Sequence, residues 1–410
     1  MRWHLVGVLA MAVVAFSHPA PAAESLSVRW DDLVRAADQH PRLAAGRFQV
    51  DAARGGVDAA RAVPNPTVDV SVGEGLSRTG GASRAEWGLA LTLPLGWVAG
   101  RGYRADAAEA GVDVALAESR ALRREVLAQL RTLFWTLAYE QARVASLGAL
   151  LDQTEALAQT VSRRVEKGEA RPVEATRVAI EREKVASELE AARTSLAARQ
   201  AGLALWLDGA PQRMPVAVAD LEGLPTPLDR DTALERAKRT DPALDVARAR
   251  IRALEAEVGV ESRARVPSVA LTGFANDELD RRSFGLGVAL DLPLWDWSSG
   301  RIAEARARLA AGRQQAEAAR LEIEVAIVET QAACQASVAT ATRFRDHVLP
   351  RSEAAASTTE KTYQLGEASL LEVIDARRTL LDARRSFLGA LAEAQLSCSR
   401  LDLLVGEEPR

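Results

Sequence analysis

Glu372 and Asp375 stand three residues apart at the start of a stretch, Leu370 to Leu404, whose apolar spacing is helical. Both carboxylates therefore leave one face of a helix. Glu174 occupies the corresponding place in an earlier stretch. Fixed carboxylates on one face favour cations and disfavour anions wherever a narrow passage runs past them. On periodicity alone the plainer account is the stronger: a solvated helical face among many charges. A glycosidase is excluded, because two carboxylates on one helix make no cleft.

Other chemistry is sparse. His4 and His18 fall in the N-terminal leader described below, and His40 and His347 lie far apart without a ligand partner at useful spacing. Both read as surface or structural residues, and no resident metal site or cofactor is expected. Gly100-Arg101-Gly102 is a lone glycine-rich spot, better suited to a hinge than to a phosphate cradle. There is no nucleophile elbow, P-loop or His–Cys pairing, so no enzyme is expected. Cys334 and Cys398 sit inside helical patterns and are expected to act as small buried hydrophobes in preference to a disulfide, although an exported chain is able to oxidise them.

The elements that position these residues come in two copies, about 200 residues apart. Asp38-Gln39-His40-Pro41 returns as Arg239-Thr240-Asp241-Pro242, and Leu91-Thr92-Leu93-Pro94-Leu95 as Leu290-Asp291-Leu292-Pro293-Leu294. Val63-Pro64-Asn65-Pro66 returns as Arg265-Val266-Pro267-Ser268, Gly168-Glu169-Ala170 as Gly366-Glu367-Ala368, and Asp208-Gly209 as Val405-Gly406. The period far exceeds that of a solenoid, so one large unit is duplicated. The expected division is a signal peptide over 1–23, a first repeat over 24–223 and a second over 224–410.

Arg2, the apolar run from Leu5 to Phe16 and the small-residue pattern Ala20-Pro21-Ala22 give the leader the form of an export signal. The run is shorter than the roughly 20 residues that a membrane-spanning helix needs. A formal charge of -4 gives no reason to expect nucleic acid. Aromatic residues at 4% and charged residues at 26% suit long helices with narrow seams better than thick globular cores.

Each repeat has one plan. Leu26 to Ala62 reads as helix interrupted near Pro41, and Pro64 and Pro66 end it. Thr67 to Val72 and Trp87 to Pro94 alternate with period two around a polar loop near Thr79. Ser268 to Phe274 and Phe284 to Leu294 repeat the hairpin around Asp280. Four strands are too few to close a barrel and leave two edges open, so oligomerisation is expected. A helix from Gly102 to Lys167, roughly 100 Å long, follows the first hairpin and returns from Val173 to Leu207. The second copy runs from Arg301 to Gly366, kinked at Pro350, and returns from Leu370 to Leu404. Gly168 and Gly366 mark the reversals, where a residue tolerant of positive φ is needed.

Strand hairpin, long helix, glycine tip and returning helix, repeated behind an export signal, resemble the outer-membrane efflux protein (TolC-like) family. The sharpest match is Tyr363-Gln364-Leu365-Gly366-Glu367-Ala368-Ser369-Leu370-Leu371-Glu372-Val373-Ile374-Asp375-Ala376, followed by Leu380, Ala383 and Phe387. The first tip departs from the pattern at Pro172 and Arg177. Ala62-Val63-Pro64-Asn65-Pro66-Thr67, Leu93-Pro94-Leu95 and Val348-Leu349-Pro350-Arg351-Ser352-Glu353 resemble the cobalt–zinc–cadmium resistance branch.

The resemblance implies a mainly α fold with a small β part, in which three chains of four strands close a transmembrane barrel above an α-helical tunnel. It implies a homotrimer in the outer membrane of a Gram-negative bacterium, in contact with outer-membrane lipid. Such a channel passively conducts substrates, heavy-metal cations in this branch, from a periplasmic membrane-fusion adaptor and an inner-membrane resistance-nodulation-division-type transporter. Glu372, Asp375 and, as first-repeat analogue, Glu174 would line the periplasmic gate, and the tips at Gly168 and Gly366 would dock the adaptor. The alternatives are the same channel exporting drugs or other organic solutes, and a trimeric coiled-coil surface protein.

Overall fold

The computed structural model describes residues 25–76, 80–81, 83–207 and 214–406. The expected export signal, Thr79 and the landmark Asp208-Gly209 lie outside the described residues. In chain order the elements of the first copy are β1 (Ser25–Val28), α1 (Trp30–Gln39), α2 (Pro41–Arg61), β2 (Thr67–Leu76), β3 (Ser83–Pro94), α3 (Trp97–Glu166) and α4 (Pro172–Leu207). Next comes β4 (Met214–Ala217), and the second copy gives α5 (Arg230–Thr240), α6 (Pro242–Arg263), β5 (Ser268–Asp277), β6 (Arg282–Asp291), α7 (Ser299–Arg343), α8 (Leu349–Gln364) and α9 (Leu370–Leu404). The fold is mainly α with a small β part.

Local chemistry sets the boundaries. Pro41 and Pro242 open α2 and α6, where a missing amide is harmless. The side chains of His40 and Asp241 cap those helices by accepting from Arg42 N at 3.2 Å and Ala243 N at 2.7 Å. His40 also stacks on Trp206, with ring centroids 4.2 Å apart, which makes it a structural residue. At the chain start the expected helix gives way to β1, paired in parallel with β4 from Ser25 opposite Met214 to Val28 opposite Ala217. Four residues are too few to show a period, and the partner lies far along the chain. The first long helix begins at Trp97, ahead of the expected Gly102, because Gly100 and Gly102 are tolerated inside it.

The main sheet has the order β2-β3-β5-β6, all antiparallel. Apart from Phe274, its register gathers the large apolar side chains onto one face. Val70 lies opposite Leu89, Leu93 opposite Leu271, and Gly273 opposite Leu286, which is 81% exposed. The other face carries Asp69, Ser71, Thr92, Thr272 and Asn276, with Thr92 Oγ1 and Thr272 Oγ1 3.1 Å apart. Phe274 is the bulky member of this polar face, and its ring lies over Gly285, where any side chain would collide with it. The outer strands β2 and β6 each keep one unpaired edge.

Below the sheet, α3 packs between α2 and α6, and α6 packs against α7. Farther down, Trp30, Leu130, Phe134, Leu137, Leu203 and Leu391 gather α1, α3, α4 and α9 into one core. Arg131 is buried there with its guanidinium 4.5 Å from the Trp30 ring centre and Nε 3.2 Å from Ser399 Oγ. Burial pulls its pKa down to about 10, opposed by the nearby charge of Asp402. A cavity of 1020 Å³ adjoins it, lined in part by Trp135, Asp220 and Gln395.

The two cysteines do not stay reduced as expected: Cys334 and Cys398 form a disulfide between α7 and α9. Each lies on the seam that its helix turns toward the other, with Cα atoms 4.7 Å apart. A pattern within one helix identifies a buried position but not the residue facing it 64 positions away. The kink expected at Pro350 takes the form of a π-helical segment, Phe344–Val348, between α7 and α8. Proline cannot donate to the carbonyl four residues back, and the wider turn accommodates that loss.

Candidate channel entrance

The helices α3 and α4 meet at Gly168, and α8 and α9 near Gly366, both with φ in the left-handed region at 75° and 82°. The two reversals use the same bonds. Gly168 N donates to Val165 O and Glu169 N to Arg164 O; Gly366 N donates to Tyr363 O and Glu367 N to Thr362 O. These satisfy the last carbonyls of each outgoing helix. Pro172 and Arg177 therefore leave the first turn's geometry unchanged.

The acidic residues differ in their surroundings. Ser369 and Glu372 form a reciprocal cap on α9: Ser369 N donates to Glu372 Oε2 at 2.7 Å, and Glu372 N donates to Ser369 Oγ at 3.3 Å. Glu372 is thus an exposed charge and also the residue that starts α9. Asp375 is exposed one turn later and accepts no hydrogen bond from the described residues. Glu174 is half-buried and paired with Arg171 at 3.3 Å, so it does not reproduce the freely exposed pair of the second tip.

The two helical hairpins pack together behind these residues. Leu157, Val161, Val178, Tyr363, Leu370 and Val373 form a shared apolar cluster. Arg164 of α3 sits 4.8 Å over the Tyr363 ring, and its Nη1 donates to Tyr363 O at 3.3 Å. The Tyr363 hydroxyl is buried without a hydrogen-bond partner, and burial pushes its pKa up.

Sequence reasoning missed the polar ties that join these hairpins. Arg377 of α9 donates to Glu360 of α8 and to Gln153 O of α3, each at 2.9 Å. Arg378 binds Glu181 of α4 with both nitrogens, Nε at 2.9 Å. These hydrogen bonds hold the Glu181 carboxyl below its ordinary range. The consecutive arginines were visible two to three turns after the tip, but their acidic partners lie on other helices. Among the described residues there is no group of three or more side chains suited to hold a metal ion, and no helix long and apolar enough to cross a membrane.

Comparison with known proteins agrees with this architecture. The family description "Outer membrane efflux protein" matches residues 33–209 and 233–407. The cobalt-zinc-cadmium resistance protein CzcC of Cupriavidus metallidurans is 29% identical over 374 residues, covering 90% of this chain and 88% of that protein. Among solved structures, CusC superposes with a TM-score of 0.77 at 17% identity, covering 96% of each chain. The outer membrane protein VceC of Vibrio cholerae gives 0.74 at 20% identity, covering 92% of this chain and 96% of its own.

Proposed function

Because this chain belongs to the outer membrane efflux protein family, we propose that it is the passive outer-membrane duct of a tripartite pump that expels heavy-metal cations. The observation that carries the reading is the sheet: one exposed apolar face, charged only at Glu74, Asp277 and Arg282 beside the hairpin loops, one polar face, and an open edge on each side, joined to a helix of 70 residues. An apolar face toward lipid and a polar face toward a lumen are what a transmembrane barrel requires. Closure by three chains removes the open edges and gives twelve strands. The helices continue the duct across the periplasm.

At the far end, the tips at Gly168 and Gly366 face the inner membrane and dock a periplasmic adaptor, which links the duct to an energised inner-membrane transporter. Glu372 and Asp375 place up to six carboxylates around the entrance of the trimer, with Glu174 in a lesser role because Arg171 partly neutralises it. Such rings concentrate cations without capturing them. The metal cargo is supported by the likeness to CzcC, whose name assigns it cobalt, zinc and cadmium resistance.

Two measurements test the reading. Outer-membrane fractions should contain a band that runs as a trimer unheated and as a monomer after boiling; a soluble periplasmic monomer contradicts the channel. Deletion should sensitise cells to zinc, cobalt, cadmium or copper. Sensitivity confined to dyes and antibiotics would reassign the cargo to organic solutes and leave the channel standing.

A further inference from the structure

The helices α6 and α9 both pack on α3 and on α7, and they meet end to end: α6 opens at Pro242 and α9 closes at Leu404. Thr240 Oγ1 donates to Val405 O at 2.9 Å across the join, and the Thr240 side chain lies against Gly406. Two helix ends do not fill a wall as one continuous helix does, and a recess of 420 Å³ remains beside the join. Its floor is Ala121 and Ala128 of α3, Pro242 and Ala243 of α6, and Leu403 and Leu404 of α9. A recess of this volume is of ligand size.

The recess opens on the side of the wall that carries the polar face of the sheet. Just below the sheet, Arg104 shares a groove with Ser268 and Asp291, which stand opposite each other on that face. Seven-residue steps keep to one side of α3 and lead from Arg104 through Gly111 and Glu118 to Glu125, at the rim of the recess. Leu127 and Phe134 leave the opposite side of α3 and join the core around α1. On α9, Arg400 at the rim and Asp402 beside the larger cavity near Arg131 stand about 200° apart around the helix. In the proposed channel the recess therefore faces the lumen, about 40 Å along α3 from its start at Trp97.

Charge around the recess is uneven. Glu125 is taken up by Arg42 at 2.9 Å. Asp241 caps α6 and lies 3.7 Å from Arg124 Nη1, beyond hydrogen-bond reach, so that Nη1 is buried without an acceptor. Arg400 is exposed and has no hydrogen bond or ion pair among the described residues. An apolar floor beside two guanidinium groups with donors to spare suits an apolar body that ends in an oxyanion. We propose that the recess binds an anionic amphiphile, a hydrocarbon chain carrying a carboxylate or sulfate, with the chain on the alanine and leucine floor and the head group on Arg400. The floor offers no ligand to a metal ion, so the site gives the duct a second class of occupant. Access from the lumen rests on the channel reading.

Photolabelling of the full-length protein in neutral detergent tests the site, with decanoate carrying a diazirine at its chain end as the probe. Crosslinks mapped by mass spectrometry should fall in segments 121–128, 242–243 and 403–404. Excess decanoate should remove them and acetate should not. Arg400→Gln should lower labelling there about tenfold, the equivalent of one charge-assisted hydrogen bond. Arg400→Lys should keep most of the labelling, and Ala243→Trp should abolish it by filling the recess. If Ala243→Trp fails to fold, the two Arg400 variants decide. Labelling confined to the apolar face of the sheet, labelling indifferent to Arg400→Gln, or equal labelling by a cationic decylamine probe overturns the site and spares the channel reading. Absence of any wild-type trimer removes the lumen and overturns both.

Discussion

Removing the disulfide tests the strength of the bond that closes the second helical hairpin. Cys334 and Cys398 are 64 positions apart, and both are buried. In the chain-entropy account, a crosslink over that span lowers the entropy of the unfolded chain by about 14.5 cal/mol/K, or about 4.3 kcal/mol at 25 °C. Unfolding entropy of roughly 2.1 cal/mol/K per residue gives about 0.86 kcal/mol/K for a chain of 410 residues. The quotient is a fall in Tm of roughly 5 °C for Cys334→Ala with Cys398→Ala.

The assay is far-UV circular dichroism melting of detergent-solubilised protein, wild type against variant, each with and without reductant. Reductant should lower the wild-type transition toward that of the variant and leave the variant unmoved. Accessible thiols should be absent in the oxidised native protein and appear only on unfolding with reductant. A double variant that melts within 1 °C of wild type, about 0.9 kcal/mol on the same scale, would refute the loop-entropy reasoning.

Three further outcomes follow from the entrance and the sheet. Glu372→Gln keeps an oxygen for the Ser369 amide and removes the charge, so it should lower cation selectivity in planar bilayers without changing thermal stability. Glu372→Ala should lower selectivity and also lose about 1 kcal/mol of helix capping, read as a shift in denaturation midpoint; equal stability of the two variants removes the capping role. The Arg378–Glu181 tie lowers the folded pKa of Glu181, so its contribution is present above the ordinary glutamate range and is lost as pH falls through the lower folded value. Bilayer conductance should rise in Arg378→Ala at neutral pH and rise in wild type only on acidification below about pH 4.3; a pH-independent wild type contradicts the tie. Leu286→Arg on the apolar face should cost about 2–4 kcal/mol at mid-membrane and abolish trimer accumulation, whereas Ala289→Arg on the polar face should be tolerated. Equal effects of the two would invert the assignment of faces.

What the sequence disclosed was governed by range. Repetition, period and proline placement are local, and they located the four strands of the main sheet, the long helices and both glycine reversals to within a few residues. The short β1–β4 pair had no local signal, because each strand is four residues long and its partner is remote. The disulfide and the ties from Arg377 and Arg378 failed to show for a related reason. Each links helices whose side-by-side placement comes from packing, and a helical stripe marks a buried face without naming its neighbour. At the entrance, the sequence located Glu372 and Asp375 by spacing, but not the Ser369 partnership that makes Glu372 a cap.

The two copies diverge where their neighbours differ. The internal α3–α6 junction is closed within one chain, so small residues on α6 suffice, and Ala249 is buried without an anchor. The homologous flank of α2 has no such neighbour within the chain, and there Phe48 is 72% exposed. The outgoing helix of the first copy runs 70 residues without a break, while its counterpart is divided by the π-helical segment before Pro350 and stapled to α9 above that division. Below it, α8 and α9 are held to the first hairpin by the Arg378–Glu181 pair, whose arginine is exposed and whose glutamate is half-buried, by the half-buried Arg377 ties and by the apolar cluster around Tyr363. Exposed ion pairs are weak and release readily, whereas a disulfide does not. In the proposed channel, then, the part of the second hairpin below Phe344 is held by the more releasable ties, and the part above it by the disulfide.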